Sequence, residues 1–428
     1  MPRLTRDKTT WLTYAQLGLW GFFLYGFGPV VPLLRDEQGT SAAVAGLHST
    51  AVAAGALLGG ALFAPLARRH GRGVATWIGL AGVAAGVAAF GLLRPLPATL
   101  AAVVVIATAG MMVISGVSVV LTARHGPAAP AALTEANAAC AGMGILAPLV
   151  IGASVDAGLG WRPVMAVEVG LIALVALAAR TFRVRPAKAA PATAAADAPV
   201  GVTASAVAEA APSAVAAGSR PGVSVGASTA GRGAGRLPRA YWIAWALMSF
   251  TGSIEVCLSL WTADVLRSHA GLSAAGASAA VAAIVCGMFL GRLVGGRVAL
   301  RWAPVPLLLA ALTVSLAGFT LFWLATVAWL AVAGLVVLGL GNALHYPLAI
   351  SIALAVAGPA ADKAAGWSSY SMAVGFGIAP VALGAVADGV GPHLAFLALP
   401  GFIAAAVLLT VRLGRALRPT AAPATVIA

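Results

Sequence analysis

The sequence predicts an all-α membrane protein built from twelve transmembrane helices in two bundles of six. Of its 428 residues, 61% are hydrophobic and only 9% are charged, whereas soluble globular chains carry about 25% charged residues. Apolar runs of the length that crosses a bilayer recur from Trp11 to the C-terminus. One long polar stretch divides these runs into two equal sets.

Charged residues, prolines and polar clusters mark where each apolar run ends. We predict spans at residues 11–32, 42–66, 74–93, 98–122, 134–155, 163–180, 241–264, 274–298, 305–324, 327–352, 366–387 and 394–412. The first run follows three basic residues, but it is too long for a signal peptide and no cleavage site follows it. We therefore interpret it as the first span.

The basic residues indicate how the chain is oriented. The net charge of +14 would suit nucleic acid, but the basic residues form short clusters between apolar runs, so we exclude a nucleic-acid partner. With a cytoplasmic N-terminus, all of them lie inside except four: Arg35, Arg94, Arg162 and Arg267. This is the positive-inside pattern. We expect a multi-pass protein of the cell membrane with both termini in the cytoplasm.

The chain divides into three regions. Residues 185–238 are rich in Ala, Gly, Pro, Ser and Thr and lack apolar periodicity, which predicts a disordered cytoplasmic linker. Residues 1–184 and 239–428 then form the two six-helix bundles. The basic residues of the linker fit the positive-inside rule, and contact with anionic lipid is the alternative.

The two halves share a short pattern at a constant offset of 232 residues. Span five contains Ala147, Pro148, Gly152, Ala153 and Asp156, and span eleven contains Ala379, Pro380, Gly384, Ala385 and Asp388. Parallel repeats of six helices are the architecture in which two halves rock about a site at the membrane midplane. The repeat therefore predicts alternating access of a small solute.

Two helix-to-loop junctions carry basic residues in a recognisable pattern. Arg69, Gly71 and Arg72 follow span two, and Gly291 to Arg301 again combine glycine with arginine. The chain here resembles the major facilitator superfamily, whose loop reads Gly-x-x-x-Asp-Arg-x-Gly-Arg, although Ala64 and Arg68 replace the first Gly and the Asp. The resemblance implies that family's fold, a monomer, and cytoplasmic gating loops formed by Arg68, Arg69, Gly71, Arg72, Arg124, Arg292, Arg297 and Arg301.

Shorter stretches resemble particular branches of the superfamily. Gly28–Leu34, Glu255 with Trp261, and Gly341–Pro347 are similar to the fucose-permease-like branch, which implies a sugar or related solute. Gly144–Gly152 looks like a weakened form of the exporter motif, so efflux of a drug or metabolite is the alternative.

Glu255 is the leading candidate for chemistry because a carboxylate at the bilayer centre costs about 2.5–3.5 kcal/mol on insertion scales. Thr251, Ser259 and Thr262 share its helical face, and such a polar stripe should line a wet cavity. We expect Glu255 to bind a proton or a substrate hydroxyl; a hydrogen bond to a neighbouring helix is the structural alternative.

Other polar residues complete the candidate site. Glu135 and His345 are further candidates for coupling, although a capping ion pair and a buried hydrogen bond are their simpler interpretations. Aromatic and amide groups that suit sugar binding recur at helical spacing. The predicted substrate-binding set is Tyr25, Asn137, Ser259, Trp261, Thr262, Asn342, Tyr346 and Tyr370.

The sequence thus predicts a secondary transporter whose partners are a small solute, the lipid bilayer and, if it is proton-coupled, a co-transported proton. No cofactor, metal or nucleotide-binding loop is expected. A membrane enzyme would need clustered His, Asp or Glu, whereas the twelve acidic residues are scattered. That enzyme and a non-transporting receptor are the alternatives from other classes.

Overall fold

The structure, a computed structural model, describes residues 5–181, 237–299 and 301–417. Within these ranges the regular secondary structure is helical, without strands. Almost all of the predicted linker lies outside the described residues.

Twelve helices in the described part of the chain are long and apolar enough to cross a membrane, as predicted. We number them spans 1 to 12 in chain order: Lys8–Gln38, Ala42–His70, Arg72–Leu92, Leu96–His125, Ala131–Asp156, Arg162–Thr181, Arg239–Ser268, Ala274–Gly295, Pro304–Leu324, Ala328–Ala357, Lys363–Val390 and Pro392–Ala416. Spans 8, 10 and 12 each contain a short break in the helix. We call the face that carries the N-terminus the terminal face and the other the opposite face.

Span 1 shows why the helices run past the predicted segments. The Asp7 carboxylate accepts a hydrogen bond from the Thr10 amide at 2.9 Å and so caps the first turn. Gly39 ends the helix in the left-handed conformation. Arg35 and Asp36 continue the helix beyond the last apolar residue, because they have charged partners on other helices.

Each bundle is held together by close helix contacts at glycines. Gly55 and Gly59 of span 2 pack against the backbone of span 4, and Gly287 and Gly291 of span 8 pack against that of span 10. A Cβ at any of the four would overlap a neighbouring atom. The glycine spacing correctly predicts close helix contact, and the two pairs are again separated by 232 residues.

The bundles meet through spans 1 and 7, spans 2 and 11, and spans 5 and 8. Gly384 of span 11 packs against Ala42 at the start of span 2, and Gly152 of span 5 packs against Ala275 at the start of span 8. Ser41 and Ser273 cap those two helices in the same way. The repeat found in the sequence thus relates the two interfaces.

Candidate functional site

A cavity lies between the two bundles near the middle of the membrane-spanning region. Spans 1 and 2 contribute one wall, and spans 7, 8 and 11 contribute the other. Most of the lining side chains are apolar, including Trp20, Phe23, Phe27, Met288 and Phe376. Its free volume, about 60 Å³, holds a few water molecules and is far below the ~300–1,000 Å³ of small-molecule pockets. The bundles must move apart to admit a solute.

Close backbone packing separates the cavity from the opposite face. Gly28 packs directly against Ser259, and a Cβ at Gly28 would overlap the Ser259 carbonyl oxygen. The Ser49 hydroxyl donates to the Phe376 carbonyl at 2.6 Å, and the Thr50 hydroxyl donates to the Gly377 carbonyl at 2.6 Å. Each of these contacts joins one bundle to the other.

Charged groups close the same interface nearer the opposite face. Arg35 forms an ion pair with the buried Asp264, and Arg267 forms one with Asp36 at 2.8 Å. Arg35 and Arg267 are 232 residues apart, so the two ion pairs start from equivalent positions in the repeat. We call these four residues the opposite-face latch.

Asp388 adds a third connection between the bundles at this face. Its carboxylate accepts hydrogen bonds from the amides of Ala42 at 2.7 Å and Ala43 at 3.0 Å. It therefore caps the first turn of span 2, where unpaired amides and the helix dipole favour negative charge. Its repeat counterpart, Asp156, is exposed at the end of span 5.

Glu255 lies in the cavity wall at the middle of span 7, half-buried, together with Ser259. The residue 232 positions earlier is Phe23, which lines the same cavity from span 1. The fold thus accepts an apolar side chain at the equivalent position. The polar face predicted for span 7 reaches the cavity only in part, because Thr251 and Thr262 are fully buried.

Arg292 lies within the helix Ala282–Ala299 and not in a loop. The helix continues past it, and its expected role in gating stays a prediction. Its guanidinium lies beside the Tyr25 hydroxyl and within electrostatic reach of Glu255 and Cys140. The Nε atom is buried and has no hydrogen-bond partner. Three helices thus bring Tyr25, Glu255 and Arg292 together.

Four residues of the predicted sugar site lie elsewhere in the C-terminal bundle. The Trp261 indole donates to the Pro380 carbonyl at 3.2 Å. Asn342 lies behind Met288, with its amide nitrogen 3.9 Å from the Met288 sulfur. Thr262 and Tyr346 are buried in the core and do not line the cavity.

Tyr370 and Asn137 also lie outside the cavity. Tyr370 is 52% exposed on span 11, and its ring contacts Trp367 with ring centroids 5.5 Å apart. Asn137 is half-buried on span 5. Of the predicted substrate-binding set, Tyr25 and Ser259 line the cavity.

Glu135 and His345 are placed in structural contacts. Arg6 donates to Glu135 through Nε at 2.8 Å, and the Tyr14 hydroxyl donates to Glu135 at 3.1 Å. The His345 Nε2 lies 3.1 Å from the Ser315 hydroxyl, deep in the C-terminal bundle. Neither residue lines the cavity.

The other predicted gating residues lie at the terminal face. Gly71 has a φ of 89° between spans 2 and 3, a conformation that favours glycine. Arg124 pairs with Asp7 of the same bundle, so this contact does not join the bundles. Arg68, Arg69, Arg72 and Arg301 are exposed. The Arg297 side chain lies outside the described part of the structure.

Two further buried polar groups, Glu168 and His48, lie outside the cavity. Arg162 pairs with Glu37 at 2.9 Å and not with Glu168, which is fully buried with neither carboxylate oxygen hydrogen-bonded. His48 is hydrogen-bonded to the Thr99 hydroxyl at 3.0 Å. Among the described residues, no group of His, Cys, Asp and Glu could hold a metal ion.

Sequence reasoning missed that Arg292 lies next to Tyr25 and Glu255, two residues that line the cavity, although a signal was present. The predicted span 274–298 contains Arg292, so the argument that singles out Glu255 as a charge inside an apolar span applies equally here. Its nearness to the helix end and to Arg297 and Arg301 favoured the loop interpretation instead.

Comparisons with known proteins agree with this architecture. The family model described as Major Facilitator Superfamily matches residues 16–361. A mutant of the nucleoside transporter NupG aligns with a TM-score of 0.72 and 14% identity, covering 96% of this chain and 98% of that chain. No curated protein sequence matches the chain.

Two further solved structures have the same fold. A bacterial homologue of the human lysosomal transporter Spinster, in an inward-facing and unoccupied conformation, aligns with a TM-score of 0.69 and 15% identity, covering 96% of this chain and 98% of that chain. FucP, a transporter in the outward conformation, aligns with a TM-score of 0.58 and 16% identity, covering 95% and 98%.

Proposed function

Because the chain belongs to the Major Facilitator Superfamily, we propose that it is a secondary active transporter that moves a small solute across the cell membrane by alternating access. The observation that carries this proposal is the cavity between the bundles. It lies where two repeats of six helices meet, and it is sealed from the opposite face by contacts between them. We assign it no enzymatic activity.

The contacts at the opposite face are suited to breaking and re-forming. They include ion pairs, hydrogen bonds to backbone groups and close packing at glycines. Rocking of one bundle against the other would separate these contacts together and expose the cavity to the opposite face. The positive-inside pattern supports a cytoplasmic location of the termini, and the sealed face would then be the external one.

Glu255 is the group we propose for proton coupling. It is a carboxylic acid in the cavity wall at the middle of the membrane, where an ionised carboxylate needs a partner. Arg292 is a candidate for that partner. A proton taken up on one side and released on the other would couple solute movement to the proton gradient.

The cavity wall bears on the choice between substrate classes. The sugar expected from the sequence rested largely on Trp261, Asn342, Tyr346 and Tyr370, which lie away from the cavity. The aliphatic and aromatic wall offers few partners for the many hydroxyls of a polyol. It favours a solute with an apolar body, which would also suit an antiporter that exports drugs or metabolites.

The test is transport by the purified full chain in liposomes with an imposed pH gradient. We expect uptake of an accepted solute to follow the proton gradient in the wild type and to lose that dependence in Glu255→Gln. The solutes tried should include sugars, organic acids and cationic drugs. Solute movement that is unchanged by Glu255→Gln at every pH would contradict proton coupling through Glu255.

A further inference from the structure

Arg292 lies in the last turn of span 8, next to Tyr25 and Glu255 of the central cavity. A guanidinium stays protonated in proteins, and burying a charge without a partner is costly. No ion pair within 4.0 Å joins Arg292 to a carboxylate in the described part of the chain. The position also breaks the repeat, because the residue 232 positions earlier is Gly60. Packing therefore does not explain the arginine.

The surroundings of Arg292 resemble a small binding site for an anion. The Tyr25 hydroxyl lies beside the guanidinium, and the buried Nε atom has an unused N–H. A guanidinium presents its N–H groups as a planar fork that matches the two oxygens of a carboxylate. The apolar wall of the neighbouring cavity lowers the local dielectric constant, which strengthens such a contact.

We propose that Arg292, assisted by Tyr25, binds the carboxylate of the transported solute, and that this solute is a small organic monocarboxylate with an apolar body. Arg292 supplies one positive charge and a bidentate contact, which suits one carboxylate. The lining by Phe23, Phe27 and Phe376 suits the remainder of the molecule. This inference rests on the proposed function, because it names the substrate class of the same cavity.

We expect Glu255 to compete with the solute carboxylate for contact with Arg292. Among the described residues, the charged or titratable groups that face Glu255 are Arg292 from span 8 and Tyr25 from span 1; Cys140 of span 5 lies beyond them, near Arg292. When Glu255 is ionised, it attracts the guanidinium. When Glu255 is protonated, Arg292 is free to bind the solute carboxylate. One proton and one carboxylate then cross together, and no net charge is moved.

The test compares pairs of solutes that differ only in the charged group. Phenylacetate with phenylacetamide, hexanoate with hexanamide, and gluconate with sorbitol are added to the purified full chain in nanodiscs of neutral lipid, and thermal unfolding is followed. We expect at least one carboxylate to raise the melting temperature while its neutral counterpart does not, because a ligand that binds only the folded state stabilises it.

The variants assign the effect to one arginine. Arg292→Gln should weaken carboxylate binding on the order of 30-fold or more, since it removes one partner of a buried charge pair. Arg292→Lys should restore part of it, because the charge remains but the bidentate geometry is lost. Arg180→Gln, at an exposed arginine at the end of span 6, is the matched control and should bind normally.

Glu255→Gln provides an independent readout. Carboxylate affinity in the wild type should rise as the pH falls from neutral, because protonation of Glu255 releases Arg292. In Glu255→Gln the affinity should stay high and should no longer depend on pH above the range in which the solute itself is protonated. A purely structural role for Arg292 would not make carboxylate affinity depend on pH in the wild type and be independent of pH in Glu255→Gln.

The outcomes separate this inference from transport itself. Equal stabilisation by the amides or sorbitol, carboxylate binding that survives Arg292→Gln, or no stabilisation by any of the three carboxylates would each overturn the anion site. Accumulation of a neutral solute by the liposomes would overturn the anion site but would support the proposed transport function. Carboxylate binding that depends on Arg292, without uptake by liposomes, would support the site and overturn the proposed function.

Discussion

Phe23 and Glu255 occupy equivalent positions in the two halves of the chain, and both line the central cavity. Arg292 likewise corresponds to Gly60. Comparison of the two repeats therefore indicates that the fold does not require a charged residue at either position. Glu255 and Arg292 both break the symmetry of the repeat, and they are the residues that we assign to the proton and the solute.

Glu255→Gln should separate activity from stability. The amide has almost the same shape as the carboxylic acid and needs no counter-charge, so we expect the melting temperature to change little, within about 0.5 kcal/mol of unfolding free energy for a substitution that leaves packing intact. Coupled uptake should fall on the order of tenfold or more, typical of losing a proton-transferring group. Both are measured on the same purified protein, and an equal loss of folded protein would contradict the assignment.

Substitution of Glu168, in contrast, is expected to change the stability of the protein. Its side chain is fully buried in span 6, and neither carboxylate oxygen is hydrogen-bonded. Glu168→Leu removes this unsatisfied group at similar volume, so it should leave stability unchanged or raise it by about 1–4 kcal/mol, as measured by denaturant unfolding. Glu168→Gln, which keeps a buried polar group, is the control and should give no such gain. A strong loss of stability in the leucine variant would show that Glu168 has a partner in another conformation.

Helix contacts at glycines set how closely the spans approach one another. Gly287 has the backbone of Val336 directly in front of it, whereas Gly142, inside span 5, has no neighbouring atom within 4 Å of an added Cβ. Gly287→Ala should therefore destabilise the protein by about 1–3 kcal/mol through overpacking. Gly142→Ala should be neutral or stabilising by up to about 1 kcal/mol, because alanine favours the helix. Thermal unfolding of the two variants tests this difference, and similar losses in both would contradict it.

The capping of span 2 provides a test of the interface between the bundles. Asp388 accepts hydrogen bonds from the amides of Ala42 and Ala43, and its repeat counterpart Asp156 is exposed. Asp388→Asn should weaken the cap and the charge–dipole contact by about 0.5–2 kcal/mol, and so favour opening at the opposite face. Asp156→Asn should have no effect. The opening is measured in both variants by the rate at which an impermeant thiol reagent, added from that face, labels a cysteine introduced in the cavity by Ser259→Cys. Equal labelling rates in the two variants would rule out the role of Asp388.

The sequence was sufficient to predict which segments cross the membrane, because hydropathy and charge act over whole helices. It could not show where helices end when an end is set by contacts between distant residues, as at Arg35 and Asp264. The residues that line the cavity were harder still to predict. Periodicity places residues on one face of a helix but does not say what that face contacts, so Asn342 and Tyr346 were assigned to a binding site although both lie in the bundle core. Tyr25, Glu255 and Ser259 were placed correctly on the cavity wall.

The two bundles together form a molecule that is sealed at the opposite face in this conformation. The seal consists of the opposite-face latch, the Asp388 cap and the packing of Gly28 on Ser259. Asp264 is buried, so removing Arg35 leaves a carboxylate without its main partner. Such a loss costs about 3–5 kcal/mol, enough to shift a two-state equilibrium strongly. The latch should therefore set the population of the state that opens to the opposite face.

Arg35→Gln should increase access to the cavity from the opposite face. A cysteine introduced by Ser259→Cys, in a chain whose Cys140, Cys257 and Cys286 are replaced by alanine, reports this access through its rate of labelling by an impermeant thiol reagent. We expect slow labelling with the latch intact and labelling on the order of tenfold faster or more in Arg35→Gln, since even 1.4 kcal/mol is a tenfold change in population. Arg94→Gln, at an exposed arginine of the same face, is the matched control and should label slowly.

Exchanging the charges, with Arg35→Asp and Asp264→Arg together, should restore part of the slow labelling, because the attraction between the two positions returns. Rapid labelling in the charge-exchanged protein would show that Arg35 acts through something other than its contact with Asp264.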